Sequence, residues 1–460
     1  MKKLKALLSA MLMLSTVLVF SGCGSDDSSS SISNPMDEGK KQSLTEVAKE
    51  SGLLTGELSN KNIKWLASWD INPDGTGKKT PADLTLFQEI YGGNIEYYHS
   101  EFGQRYSDLG TYISSGEGID FFYAGDLDAF PSGVLKDQFV SIDDYIDFDS
   151  ELWKDVKVAN DQFIWGGKHY IAVAQATGDN VACIYNRKTI QEAGLEDPAK
   201  LYEEGEWDWH AFEDMLEKFV DVDNKHYGID SWWFEFGLMN TVGVPPVGIE
   251  DGKLRSYIDT EEMERVQNWM YELYQKGYIA IGVGDYGWTS RPQYIGEGKL
   301  LFYPQGLYAL YATKDQWTKQ FGEDVFFVPM PKDPNADEYY IPVGIEAYAY
   351  VNGGQNPEGV TKFLDCKRFC ITNETACEIA DSIFIDDYGW TQEMVDMRTE
   401  MNRLGAEHPI FDLSRGVSTD CAELLDSYLR NSSRGTPWNE TFGEINETVK
   451  NYINEVNKNA

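Results

Sequence analysis

Histidine is scarce in this chain of 460 residues. The five present, His99, His169, His210, His226 and His408, show no metal-ligand spacing, so neither a metal nor any other cofactor is expected. Cysteine is almost as thin. Beyond Cys23 the chain holds Cys183, Cys366, Cys370, Cys377 and Cys421, an odd set that excludes a disulfide framework. Cys366 and Cys370 sit four apart in a predicted helix, too far apart at their β-carbons to bridge, and both read as small buried apolar residues. The chain also lacks a G-x-S-x-G elbow, an H-E-x-x-H zinc motif and a phosphate-cradling glycine loop. With 76 acidic residues, carboxylate pairs can be drawn anywhere and say nothing about hydrolysis, so no enzyme is expected. Only 39 lysines and arginines offset those acids, for a net charge of −37. That balance opposes a nucleic-acid partner, weakens the case for a highly anionic ligand, and fits a soluble, self-repelling domain.

Long apolar runs are missing too, apart from the first twenty residues. Lys2, Lys3 and Lys5 precede an apolar stretch from Ala6 to Phe20 of signal-peptide length, too short for a comfortable membrane span. Ser21-Gly22-Cys23 resembles a lipoprotein box, which makes Cys23 the expected lipidation site and residues 1–22 the leader. The alternative is an ordinary secretory peptide with an incidental Cys23. Residues 23–60 begin with a serine- and aspartate-rich stretch of linker composition, and the whole segment is expected to be a tether. Lipid alone would then hold the protein at the membrane, facing outward.

Aromatic residues, by contrast, are plentiful, with 13 Trp and 27 Tyr. Ile63 to Trp69, Asn94 to His99 and Asp120 to Ala124 read as strands separated by helices from about Pro81 to Tyr91 and Tyr106 to Ser115. That alternation predicts parallel βαβ units, whose ligands gather beyond the carboxyl ends of the strands. Trp69-Asp70 and Tyr123-Ala124-Gly125-Asp126 occupy two such ends, although Asp126 could equally cap the next helix. Further along, Tyr170 to Ala176 and Val181 to Tyr185 read as strands. Asn186 and Asp208 read as helix caps, and Trp209, Phe212, Leu216 and Phe219 share one helical face. Helices are also expected over Thr260 to Gln275 and Thr289 to Gly296, and from Asn356-Pro357 most of the way to the end.

The order of elements between Phe163 and Phe234 resembles the central segment of the family 1 extracellular solute-binding proteins, the sugar-binding subunits of bacterial ABC importers. The resemblance is carried by Gly167-Lys168-His169-Tyr170, Ile184-Tyr185-Asn186-Arg187, Ala193-Gly194-Leu195, Pro198, Trp207/Trp209-Phe212 and Tyr227-Gly228. It extends to Gly298-Lys299 with Gln305-Gly306 and Tyr308, and to Asp324–Pro331 followed by Ile341–Val351. It implies an α/β, two-lobed fold of the type II periplasmic-binding-protein kind, each lobe a mixed, mainly parallel sheet flanked by helices. The lobes implied are residues 61–165 with 301–340, and residues 166–300 with 341–460, joined by several hinge crossings. Tyr123 and Asp126 match a sugar-contacting loop of the maltodextrin-binding relatives by offset, and Tyr308 falls where the family keeps a ligand-facing aromatic.

A sugar receptor needs flat apolar faces for the C–H faces of the rings and flanking groups that bond hydroxyls. Trp153, Trp207, Trp209, Trp269, Trp317 and Trp390 read as core. Trp69, Trp165 and Trp288 lie at strand ends or in loops, and the adjacent Trp232 and Trp233 cannot both face one core on an extended backbone. The expected site therefore combines Trp69, Tyr123, Trp232, Trp233, Trp288 and Tyr308 as stacking faces with Asp70, Asp126, Gln305 and Glu346 as polar contacts. The function expected is a monomeric, lipid-anchored receptor that clamps a carbohydrate, an oligosaccharide by preference, between its lobes and passes it to the permease pair of an importer. A same-fold receptor for a non-sugar solute and a cell-surface glycan-degrading enzyme remain alternatives.

Overall fold

The computed structural model describes residues 35–72 and 79–458. The leader, Cys23 and the serine-rich stretch lie outside the described residues. Two sheets organise the rest. In chain order their strands are β1 (Asn62–Ala67), β2 (Asn94–His99), β3 (Phe121–Tyr123), β4 (Ile171–Thr177), β5 (Ala182–Asn186), β6 (Tyr227–Ile229), β7 (Leu300–Gln305), β8 (Val325–Val328) and β9 (Gly344–Tyr350). The first sheet runs β2-β1-β3-β9-β4 and the second β8-β5-β7-β6.

Alternation along the strands sets the cores of the first sheet. Trp65, Phe121, Ala172, Tyr348 and Tyr350 face one apolar cluster, together with helices Ala82–Tyr91 and Pro357–Thr372. Leu66, Phe122, Val173 and Ala349 face the other way, into the cluster that continues beneath the second sheet. β1 pairs in parallel with β2 and β3, as the βαβ alternation predicts. β9 and β4 then close the sheet with antiparallel pairing. In the second sheet β5 is antiparallel to both neighbours, and only β7 and β6 run parallel.

That pairing divides the chain differently from the expected lobe boundaries. Residues 301–340 do not return to the first half: β7 lies between β5 and β6, with Tyr303 opposite Ile184 and Leu300 opposite Tyr227, and β8 pairs with β5. Conversely β4 and β9, expected in the second half, complete the first sheet. The reason lies in the crossing points. The chain passes from sheet to sheet just after Thr177 and just before Gly344, so each crossing strand belongs to the sheet opposite the one its sequence position suggests. Helix Gln392–Glu407 packs against both β4 and β8 and so straddles the two sheets.

Local signals were otherwise well placed. Asn186, Asp208, Thr260 and Asn356 cap their helices through side-chain oxygens. Helix Trp209–Phe219 buries the expected face, and Trp209 stacks on Trp269 at 4.2 Å and 8°. Two expectations change. Residues 38–51 form a helix rather than a tether, capped by Asp37 and anchored by buried Leu44 and Ala48, one turn apart. The helix expected from Thr289 shrinks to Gln293–Gly296, because Ser290 and the Arg291 amide are held by Asp230 and Pro292 follows. Cys183, Cys366, Cys370 and Cys421 are buried thiols, and Cys377 is partly exposed. Among the described residues no helix is long and apolar enough to cross a membrane.

Candidate ligand-binding site

The carboxyl ends of β1 and β3, the crossing after β4 and the turn after β7 meet in a cleft between the sheets. One cavity there, of 440 Å³, is lined by Trp69, Tyr123, Gln175, Glu346 and Tyr348 from the first sheet and by Tyr308 from the second. A second cavity of 560 Å³ adjoins it through Asn180 and Gly344, with Asp126 on one wall and Trp233 on the other. Both volumes fall in the range of about 300–1,000 Å³ usual for small-molecule sites.

Four of the thirteen tryptophans leave a large part of their surface bare: Trp69 (41%), Trp232 (60%), Trp233 (37%) and Trp288 (81%). All four were singled out by position alone. The fifth, Trp165, is buried edge-on against Phe130 and is a core residue. Its strand is a two-residue piece of a tight hairpin whose other side is packed, so a strand-end position did not expose it.

Trp69 is seated by the strand it follows. Its carbonyl accepts from the buried Trp65 indole at 3.2 Å, and its ring meets Tyr123 edge-on at 4.8 Å. Tyr123 in turn lies 6.1 Å from Tyr348, so one aromatic wall runs along the first sheet. Burial, with Glu346 and Asp126 close by, raises the Tyr123 phenol above its ordinary value, keeping it a neutral hydroxyl. Across the cleft, Tyr308 is 56% exposed and its hydroxyl accepts from Gln305 Nε2 at 2.7 Å. Gly306 makes that pose possible: a β-carbon there would collide with the Tyr308 ring.

The polar groups are held as tightly. Glu346 accepts from Tyr348 Oη at 2.7 Å and from Lys367 Nζ at 2.6 Å. Lys367 is buried, which disfavours its charge, but Asp83 and Glu346 outweigh that and raise its pKa. Asp126 pairs with Arg105 Nη2 at 3.2 Å instead of capping a helix. Burial raises the Asp126 pKa, against the pull of Arg105.

Not every expected residue reaches this cleft. Asp70 turns away and accepts from the Asn72 amide and side chain, both at 2.9 Å, forming an Asx-type turn. Trp232 and Trp288 line a different cavity. The dipeptide splits, with Trp233 on the cleft side and Trp232 on the other, because the two rings must diverge from adjacent backbone positions. Gln305 acts on Tyr308 and lines neither cleft cavity.

Sequence reasoning also passed over several groups. Gln175 and Thr177 were visible as the two polar positions, two apart, at the end of an otherwise apolar strand. Arg398 lines the smaller cavity from the straddling helix, bonded to Asp179 at 3.2 Å. Those partners are 219 residues apart, and nothing local announces the pairing. Among the described residues, no group of three or more His, Cys, Asp or Glu side chains is placed to hold a metal ion.

Comparison with known proteins bears on the fold and the family. The family profile described as bacterial extracellular solute-binding protein matches residues 70–366, more than half of the chain. No curated protein matches in sequence. Among solved structures, the chain is similar to a cyclo/maltodextrin-binding protein complexed with maltotetraose, at a TM-score of 0.61 and 15% identity, covering 87% of this chain and 99% of that one. An extracellular solute-binding protein from Staphylococcus aureus in complex with maltose gives 0.59 and 13%, covering 87% and 99%. The galacto-N-biose/lacto-N-biose I-binding protein of an ABC transporter from Bifidobacterium longum, in complex with lacto-N-biose, gives 0.58 and 12%, covering 85% and 97%. Identities this low speak to the fold, which is the two-lobed α/β fold of those proteins. The profile match speaks to descent, and the chain belongs to the bacterial extracellular solute-binding protein family.

Proposed function

We propose that this protein captures a neutral carbohydrate, an oligosaccharide by preference, in the cleft between its sheets and delivers it to the permease subunits of an ABC importer. One observation carries the reading: aromatic faces from both sheets, exposed Trp69 and half-buried Tyr123 on one side and exposed Tyr308 and Trp233 on the other, line adjoining cavities. Rings of this kind take the C–H faces of pyranoses, while Asn180, Gln175, Glu346 and Asp126 supply hydroxyl partners. The saccharides held by the three solved structures support the same class of ligand. Contacts from both walls exist together only when the sheets approach, so binding favours a closed form, and that form docks on the permease. Lipidation of Cys23 places the receptor on the outer face of the membrane, as a monomer.

The test is calorimetry of the purified protein against neutral mono- and oligosaccharides of several linkages. Saturable binding of at least one, weakened in Tyr308→Ala, supports the reading. No heat with any of them, or release of shortened products on incubation, contradicts it, the latter in favour of a glycan-degrading enzyme.

A further inference from the structure

Trp232 and Trp288 wall a cavity of 480 Å³ on the second-sheet side, separate from the cleft. Both indoles are bare, and the backbone that carries each is held. Arg430 Nη1 donates to the Trp232 carbonyl at 2.8 Å and to Glu235 Oε2 at 2.9 Å, and the buried Glu235 accepts from Ser433 Oγ at 3.0 Å. Trp288 follows a loop closed by the Gly282 amide on the Gly287 carbonyl at 2.8 Å. Its ring lies against Gly282, where φ is +80° and a β-carbon would come within 2.9 Å of the indole.

Asp230 lines the same cavity and is wholly buried. Its Oδ2 accepts from Tyr286, from Ser290 Oγ at 2.9 Å and from the Arg291 amide at 2.9 Å. Its Oδ1 has no partner among the described residues, and a buried carboxylate oxygen is costly to leave so. Two bare apolar faces sharing one cavity with carboxylates, serine hydroxyls and a guanidinium suit a hexose ring, apolar on its face and hydroxylated at its rim. One dipeptide serves both cavities: Trp233, the next residue after Trp232, lines the cleft, and neighbouring α-carbons are only about 3.8 Å apart.

We propose that the Trp232–Trp288 cavity is a second glycosyl-binding site, taking a hexose unit of a neutral saccharide outside the interlobe cleft. The unit belongs either to the far end of an oligosaccharide whose other end lies on Trp233, or to a separate molecule. The inference rests on the sugar reading of the cleft.

The experiment uses the protein labelled with 5-fluorotryptophan, its ¹⁹F resonances assigned through Trp69→Phe, Trp232→Phe, Trp233→Phe and Trp288→Phe. Neutral saccharides of several linkages, from disaccharide to heptasaccharide, are titrated in. Movement of the Trp232 and Trp288 signals supports the proposal. Movement only with the longer members, with the same midpoint as Trp69 and Trp233, marks one spanning chain; movement with short members at its own midpoint marks a separate molecule. If Trp69 and Trp233 respond and Trp232 and Trp288 never do, the second site is overturned and the cleft reading stands. If none responds to any saccharide, both fall. In the spanning case Trp288→Ala should also weaken the longest ligand by about tenfold, while leaving the shortest within about twofold.

Discussion

Truncating Tyr308 separates binding from folding more cleanly than any other change in the cleft. The ring is more than half exposed, and its hydroxyl is held only by two neighbouring side chains, Gln305 and Trp233. Tyr308→Ala should therefore cost no more than about 0.5–1 kcal/mol of folding stability. A stacked aromatic at the centre of a binding site contributes about 1–3 kcal/mol, so the sugar Kd should rise about 5- to 150-fold. Gly306→Ala offers an independent route to the same result. The backbone at Gly306, φ −61° and ψ 139°, suits alanine, but the added methyl would meet the Tyr308 ring and the Asn180 carbonyl. It should displace the tyrosine without removing it and reproduce much of the loss. Tyr308→Phe keeps the face and gives up only the hydroxyl's bonds to Gln305 and Trp233, so its effect should stay below about tenfold. Calorimetry gives the Kd values and urea melts the stabilities. An unchanged Kd in both Tyr308→Ala and Gly306→Ala would refute the stacking role, and a melt that collapses in step with affinity would refute the separation.

Trp69→Ala and Trp165→Ala should diverge. The first should weaken sugar binding by about 1–3 kcal/mol with little change in the urea midpoint; the second, buried against Phe130, should cost about 3–5 kcal/mol of stability. Equal midpoints would show that Trp165 is not core. Arg105→Met removes the buried partner of Asp126 and Asp128 and should destabilise by about 3–5 kcal/mol; a smaller loss would mean those carboxylates find other donors. Glu393 is held below its ordinary pKa by the Arg187 guanidinium, which donates to it at 2.7 Å. Its stabilisation is thus complete above the unfolded pKa of about 4.3 and fades as pH falls through the lower folded value. Glu393→Gln should cost about 0.2–1 kcal/mol in urea melts at about pH 7, and the gap should close towards about pH 3; a gap that widens would contradict the pairing.

Much of this molecule could be read from its residues in order. Caps such as Asn186 and Asp208, and the apolar face of Trp209, Phe212, Leu216 and Phe219, are local facts, and local physics found them. The exposed tryptophans were legible for a similar reason, since a ring in a loop, past a strand end or in an adjacent pair often has no core to enter, although Trp165 at its strand end found one. Sheet membership was not legible. β7 and β9 both follow turns and read as crossings, and only pairing over long sequence separations, such as Glu346 with Gln175, shows which sheet claims each. The polar half of the cleft failed for the same cause. Lys367 reaches Asp83 across 284 positions, and Arg398 reaches Asp179 across 219. The helix at 38–51 was hidden by composition, since its charged face outweighs the short Leu44–Ala48 stripe.

The most direct test is a crystal structure of the protein with a saccharide that binds it in solution. The ring expected is one stacked between the Trp69–Tyr123 wall and Tyr308, with hydroxyls on Gln175, Asn180 or Glu346 and contacts to both sheets. A sugar bound to one sheet alone, with Tyr308 and Trp69 still bare, would contradict the central claim.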